Sequence, residues 1–256
     1  LNIGQRHILP LYPVLFIVAG GLVRFGGPRT GAALSVLLVG LAAVESFSVR
    51  PHYLSFFNPL VGGPAAGWRL LGDSSLDWGQ NLPRLHQWLD AHRQPKEPVY
   101  LSYFGADDPF YRGINAMELS PYFSFGRARQ WAPLQAGLYC IGASMLQDAS
   151  SPYSGPWTQS RESAYQYLRR TIPSEIDHGI RPSSIGVDTK AEREVWNFDR
   201  ARFARLCLYL RVRPPDAVIG NMIFIFRLSA QDIHAAVDGT MEELAGAMEV
   251  AAKRER

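Results

Sequence analysis

The chain has 256 residues, 47% of them hydrophobic and 12% aromatic, enough apolar material for a sizeable core. Its net charge of +3 and isoelectric point near 8.9 are too mildly basic to point to nucleic acid, and no basic cluster sits within a nucleic-acid-binding motif. Two distant cysteines, Cys140 and Cys207, show neither CxxC nor metal-ligand spacing, and a disulfide between them is open only to an oxidising compartment.

The chain opens at Leu1, and a polar segment runs directly into an apolar one without the charged start and cleavage site of a signal peptide. It reads as the tail of a longer protein. Residues 8–23 are nearly all apolar, and residues 32–44 form a second apolar run. Each is at the short end for a membrane span, which takes roughly 17–25 residues. Pro10, Pro13 and several glycines suit a membrane helix better than a soluble one; the alternative is a buried helical hairpin. The turn between them carries Arg24 and Arg29 and no acid, which places it in the cytoplasm and both ends of the hairpin outside.

The stretch from Tyr53 to Leu89 follows. Gly62, Gly63 and Pro64 mark a loop. Leu82, Leu85, Trp88 and Leu89 recur at helical spacing, with Asn81 as N-cap and Pro83 in the first turn. Between loop and helix stand Asp73, Asp77, Trp78 and Gln80. Two carboxylates, an indole and an amide form a group suited to a sugar. They serve equally as helix caps with Trp78 packed beneath.

Residues 99–104, VYLSYF, predict a strand, and GADDPFYRGI a loop. Asp107 and Asp108 in that loop are an acid–base or metal-binding candidate, although neighbouring side chains diverge and an Asp-Asp-Pro run favours turn chemistry. Residues 137–145 read as a buried strand, 160–170 as a helix, and 172–189 as a long loop. Residues 192–210 predict a helix with Trp196, Phe203, Leu206, Cys207 and Leu210 on one face. Arg202 and Arg205 lie opposite, as a solvated face or one resting on anionic headgroups. Residues 219–228 form the clearest strand, and Ser229 starts a last helix. The sum is an α/β fold with a small sheet of about three or four strands. No phosphate-binding glycine loop, nucleophile elbow or zinc-protease motif is present, and His86 and His92 are too far apart for one helical metal face.

Several segments resemble bacterial multi-pass membrane glycosyltransferases related to the protein O-mannosyltransferases (glycosyltransferase family 39-like). NIGQRHILPLYP at Asn2–Pro13 resembles that family's I-G-x-R-H-x-L-P-x-Y-P. YLSFFNPLVGGPAAGWRLLGDSSLDWGQNL resembles its Y-F-N, GGP and D-W-G-Q run, and YFGADDPFYRGI its Y-F-G-x-x-D-P-x-Y-Y-G-I. GLYCIGASML and LRVRPPDAVIGNMIFIFRL resemble its later segments. The resemblance implies sugar transfer from an isoprenoid-phosphate-linked donor to a glycan or protein acceptor, at the outer face of an inner or plasma membrane. It implies a transmembrane hairpin over residues 1–50, the end of a GT-C type bundle, and an extracytoplasmic α/β domain over 51–256.

The resemblance also implies site residues. Arg6 and His7 would hold the carrier phosphate at the outer mouth of the bundle, since arginine gives paired charge-assisted bonds to phosphate oxygens. Asp73, Asp77, Trp78 and Gln80 would contact sugar or acceptor. No cofactor is called for and no metal ligand is assigned, with metal assistance left open. The family's catalytic acid has no counterpart here, Ser75 stands where the family has Asn, and Asn81 where it has Asp. The expectation is therefore the C-terminal portion of a glycosyltransferase. A membrane-anchored, non-catalytic glycan- or partner-binding module is the alternative, and a soluble hydrolase with a buried hairpin ranks third.

Overall fold

The computed structural model describes residues 9–22, 27–50, 53–58, 62–70, 78–120, 133–147, 152–153, 155–177 and 189–253. The chain divides into two compact units, Leu1–Leu71 and Gly72–Arg256.

In the first unit, α1 (Tyr12–Leu22) follows a short 3-10 turn and α2 (Pro28–Ser48) starts with proline in its first turn. At 21 residues α2 rises about 32 Å, the thickness of a bilayer's hydrocarbon core. Val36, Leu37, Leu38 and Val39 are all exposed. Four consecutive residues sweep the whole helix circumference, so the middle of α2 is apolar all round rather than on one stripe. A 20-residue stretch of it, Arg29–Ser48, is long and apolar enough to cross a membrane, which suits an anchor or a signal sequence by length and composition. The expected pair of spans is not formed among the described residues: α1 has 11 residues and rises about 16 Å, roughly half a bilayer core. A 3-10 turn at Leu9–Leu11 takes up the start of that apolar run. The unit ends with a 3-10 turn at Tyr53–Ser55 and the short α3 (Gly63–Gly67).

The second unit is a mixed α/β domain with five strands in the order β2-β1-β3-β5-β4. β1 (Val99–Ser102) pairs in parallel with β2 (Met117–Glu118) and with β3 (Gly137–Gly142). β5 (Ile223–Leu228) runs antiparallel to β3 and to β4 (Ala217–Ile219). All six residues of β3 are buried, as an unbroken apolar run in a central strand requires.

On one face of the sheet α4 (Leu82–His92) packs Leu82, Leu85 and Leu89 against Leu101, Leu138 and Ile225. The other face carries Tyr100 and Tyr139, stacked 4.4 Å apart, whose hydroxyls donate to the carbonyls of Pro133 and Gln135. Burial pushes both phenols above their ordinary range. α5 (Ala143–Leu146), α6 (Gln159–Asp177) and α7 (Lys190–Val212) follow, the last started by a Thr189–Glu192 capping box. The chain closes with α8 (Ala230–Ile233), a π turn over His234–Asp238 and α9 (Met241–Lys253).

Four details differ from the sequence reading. The sheet has five strands because β2 and β4 are too short to carry a period. The run 219–228 is split: Gly220 and Asn221 both adopt left-handed conformations, at φ 60° and 63°, and the Met222 N–H donates to the Ile219 carbonyl at 3.0 Å. The region after Ile172 begins as helix, since α6 continues to Asp177. The last helix is interrupted at Gly239, whose N–H closes the π turn on the His234 carbonyl.

Candidate functional site

The parallel part of the sheet fixes where a site can form. From β1 the chain turns to β2 on one side, whereas the neighbours of β3 beyond β1 lie on the other. Ligands of open α/β sheets bind outside the carboxyl ends of strands where connections diverge in this way. The loop leaving β1, residues 103–116, lies at that place.

Residues 78–80 are joined to that loop by close backbone contact. The Ala106 N–H donates to the Trp78 carbonyl at 3.2 Å. A methyl added to Gly105 would lie 2.5 Å from the Gly79 nitrogen, and one on Gly79 would lie 2.6 Å from the Asp107 Cβ. Gly79 also has φ 96°, so both its conformation and its contacts require glycine. The Trp78 ring meets Phe104 edge-on at 5.6 Å and stays half-exposed. The Gln80 side-chain oxygen accepts from the Trp78 N–H at 2.7 Å, which turns that amide back on its own loop.

Trp78 and Gln80 therefore belong to this surface, while Arg6, His7, Asp73 and Asp77 lie outside the described residues. Asn81 stands at the N-cap position of α4 but makes no side-chain cap bond. It is buried against the β4–β5 turn, where a methyl on Gly220 would come within 2.0 Å of its side-chain oxygen.

Both loop aspartates serve the loop itself. Asp107 accepts from Arg112 Nε at 2.7 Å, and the Asp108 side chain accepts from the Phe110 N–H at 2.9 Å. That is turn chemistry, not a paired acid and base. Sequence reasoning passed over Phe110 and Tyr111, 70% and 82% exposed on this turn. The signal available was Gly79 and Gly105, two glycines in separate segments that a close approach would need.

Arg202 and Arg205 of α7 are not solvated. Arg205 is fully buried, and its guanidinium donates to both Glu162 oxygens at 3.0 and 3.2 Å. It also donates to the carbonyls of Ala236 and Gly239 at 2.7 and 2.8 Å. Glu162 accepts further bonds from Trp157 and Gln166. Burial raises the Glu162 pKa, but these donors outweigh it and hold the carboxyl below its usual range. Arg202 is buried beside Asp199, with which it pairs. Neither arginine of this set is placed to rest on headgroups.

A concavity of about 410 Å³ lies between the π turn and α9, lined by Tyr209, Asp232, His234, Glu243 and Val250 among others. Its carboxylates cap helices: Asp232 accepts from Ser229 and from the Tyr209 hydroxyl, and Glu243 accepts from the Thr240 N–H. Cys140 and Cys207 are free and buried, so they form no disulfide, and burial pushes the Cys140 thiol up to about 12. Among the described residues no three His, Cys, Asp or Glu side chains gather to hold a metal. The chain matches no protein-family model, no curated protein and no solved structure.

Proposed function

We propose that the chain is the C-terminal portion of a multi-pass membrane glycosyltransferase related to the protein O-mannosyltransferases. It would work at the outer face of an inner or plasma membrane, on a sugar carried by an isoprenoid phosphate. The observation that supports this most is the meeting of two loops distant in sequence. Residues 78–80 and 104–107 belong to two of the segments that carry the resemblance, and their glycines touch. The long, mostly apolar α2 agrees with a membrane location.

In this reading the general base comes from a segment that precedes the chain and deprotonates the acceptor for attack at the anomeric carbon. Arg6 and His7 stabilise the departing phosphate, and Trp78 stacks on a sugar face. Gln80, Asp73 and Asp77 supply hydrogen bonds around it.

A C-terminal tag on the native gene tests the first premise: the product in membranes is expected well above 28.5 kDa. Arg6→Ala in that product is expected to lower transfer from a lipid-linked donor by about 10²-fold. Unchanged turnover and carrier affinity would remove the role of Arg6. The second reading, a membrane-anchored module that binds glycan or a partner without catalysis, is favoured by one observation. The Asp107 and Asp108 carboxylates are already engaged within their own turn. A native product of 28.5 kDa would select it.

A further inference from the structure

The turn that carries Phe110 and Tyr111 has a property that sugar transfer does not explain. Among the described residues of the second unit, the large apolar side chains left exposed are Trp78, Phe110, Tyr111, Tyr167, Val218 and Val250. Three of these six fall on the two joined loops. Arg112 ties them together, bonding Asp107 behind Trp78 and Gly79 and lying 5.9 Å over the Tyr111 ring.

This tip is rigid. The Phe110 N–H donates to the Asp108 carboxylate, and the Arg112 N–H to the Asp108 and Pro109 carbonyls. The Gly113 N–H donates to Phe110 and the Ile114 N–H to Pro109. Ile114 is buried in the core next to α4, which anchors the turn from below. A floppy loop exposes aromatics for want of anything better. A hydrogen-bonded turn holds them out in solvent.

The geometry points to this tip as a second contact with the bilayer, with Phe110 and Tyr111 seated among the lipid headgroups. Tyrosine, tryptophan and phenylalanine beside an arginine are the chemistry of the membrane interface, where an amphipathic ring meets both acyl chain and water. The charges nearest the tip are already engaged, Asp107 by Arg112 and Asp108 by a backbone N–H, so little polar surface is stripped of partners on seating. The occupant is close at hand. α2 is exposed on every side and belongs to the same chain, so its membrane holds the domain at a high local lipid concentration. This inference rests on the membrane location of α2 and not on sugar transfer.

The test uses the full chain in phosphatidylcholine nanodiscs, with an environment-sensitive fluorophore on Tyr111→Cys. Tyr167→Cys on α6 is the control, at 68% exposure. Cys140 and Cys207 are fully buried and stay unlabelled in the folded chain. The label at 111 is expected to shift to the blue and to be quenched by lipids brominated near the headgroup about twofold more than the label at 167. Phe110→Cys should repeat the result. Equal quenching at 111 and 167 overturns the proposal. So does a label at 111 that ignores lipid but shifts on adding soluble oligosaccharide, which would assign the tip to glycan. No reading involves transfer of sugar, so this outcome and that of the catalytic proposal fail separately.

Discussion

Arg205 shows what a residue's partners decide and its sequence neighbours do not. On a helical wheel it lies away from Leu206, Cys207 and Leu210, and that position reads as solvent. Its counter-charge, Glu162, sits 43 residues earlier on another helix, beyond the reach of any local period. Removing one member of a buried pair strands the other, which costs about 3–5 kcal/mol. Arg205→Ala is therefore expected to lower the unfolding free energy read from urea melts by that amount. The double variant Arg205→Met with Glu162→Leu is expected to recover much of it. A single variant as stable as the wild type would show that the pair contributes nothing. Glu162 and Asp232 also contribute to the acid dependence of stability. Burial raises both, but Arg205, Gln166 and Trp157 at Glu162, and Tyr209 and Ser229 at Asp232, leave each below its ordinary value. A depressed carboxyl stabilises fully above its unfolded value, about 4.3 for Glu and 3.9 for Asp. It loses that contribution as pH falls through the folded value. Stability is expected to be flat down to about pH 5 and to fall below it, less steeply in Asp232→Asn. Identical slopes would remove Asp232 from the linkage.

At the scale of elements, apolar runs and caps were legible and interruptions were not. α4 starts and ends where the Leu82–Leu89 spacing places it, and Ser229 begins α8 through a capping box with Asp232. β4 and β5 were fused because Ile219, Met222 and Ile223 keep the stretch apolar through the turn. Only the Gly-Asn pair betrays it. Gly220 is held at φ 60° with Asn81 against it, so Gly220→Ala is expected to cost about 1–3 kcal/mol. Gly246 lies inside α9 with nothing within 4 Å of an added methyl. Gly246→Ala is expected to stabilise by about 0.5–1 kcal/mol through helix propensity. Thermal melts of the two variants should move in opposite directions, and parallel shifts would discard the distinction. In the candidate site the same limit applied. Trp78 and Gln80 stood out by residue type, whereas Phe110 and Tyr111 gained meaning only once the turn was seen to hold them in solvent.

For the whole molecule, composition revealed an α/β domain behind an apolar start, but not how much of that start forms a span. Both apolar runs looked alike, and the second alone becomes a helix of bilayer length among the described residues. The full chain is expected to stay in the membrane pellet after an alkaline carbonate wash; release into the supernatant would end the membrane reading. The order of the strands has a consequence for synthesis. β5 comes from residues 223–228, after α6 and α7, yet it sits between β3 and β4 in the sheet. While the ribosome makes α6 and α7, the edge of β3 that β5 will cover stands open, with Leu138, Tyr139, Cys140 and Ile141 unpaired on that side. The sheet cannot close until Leu228 has left the exit tunnel. A nascent chain that stalls after α7 presents a ready sticky edge to its neighbours on the same message.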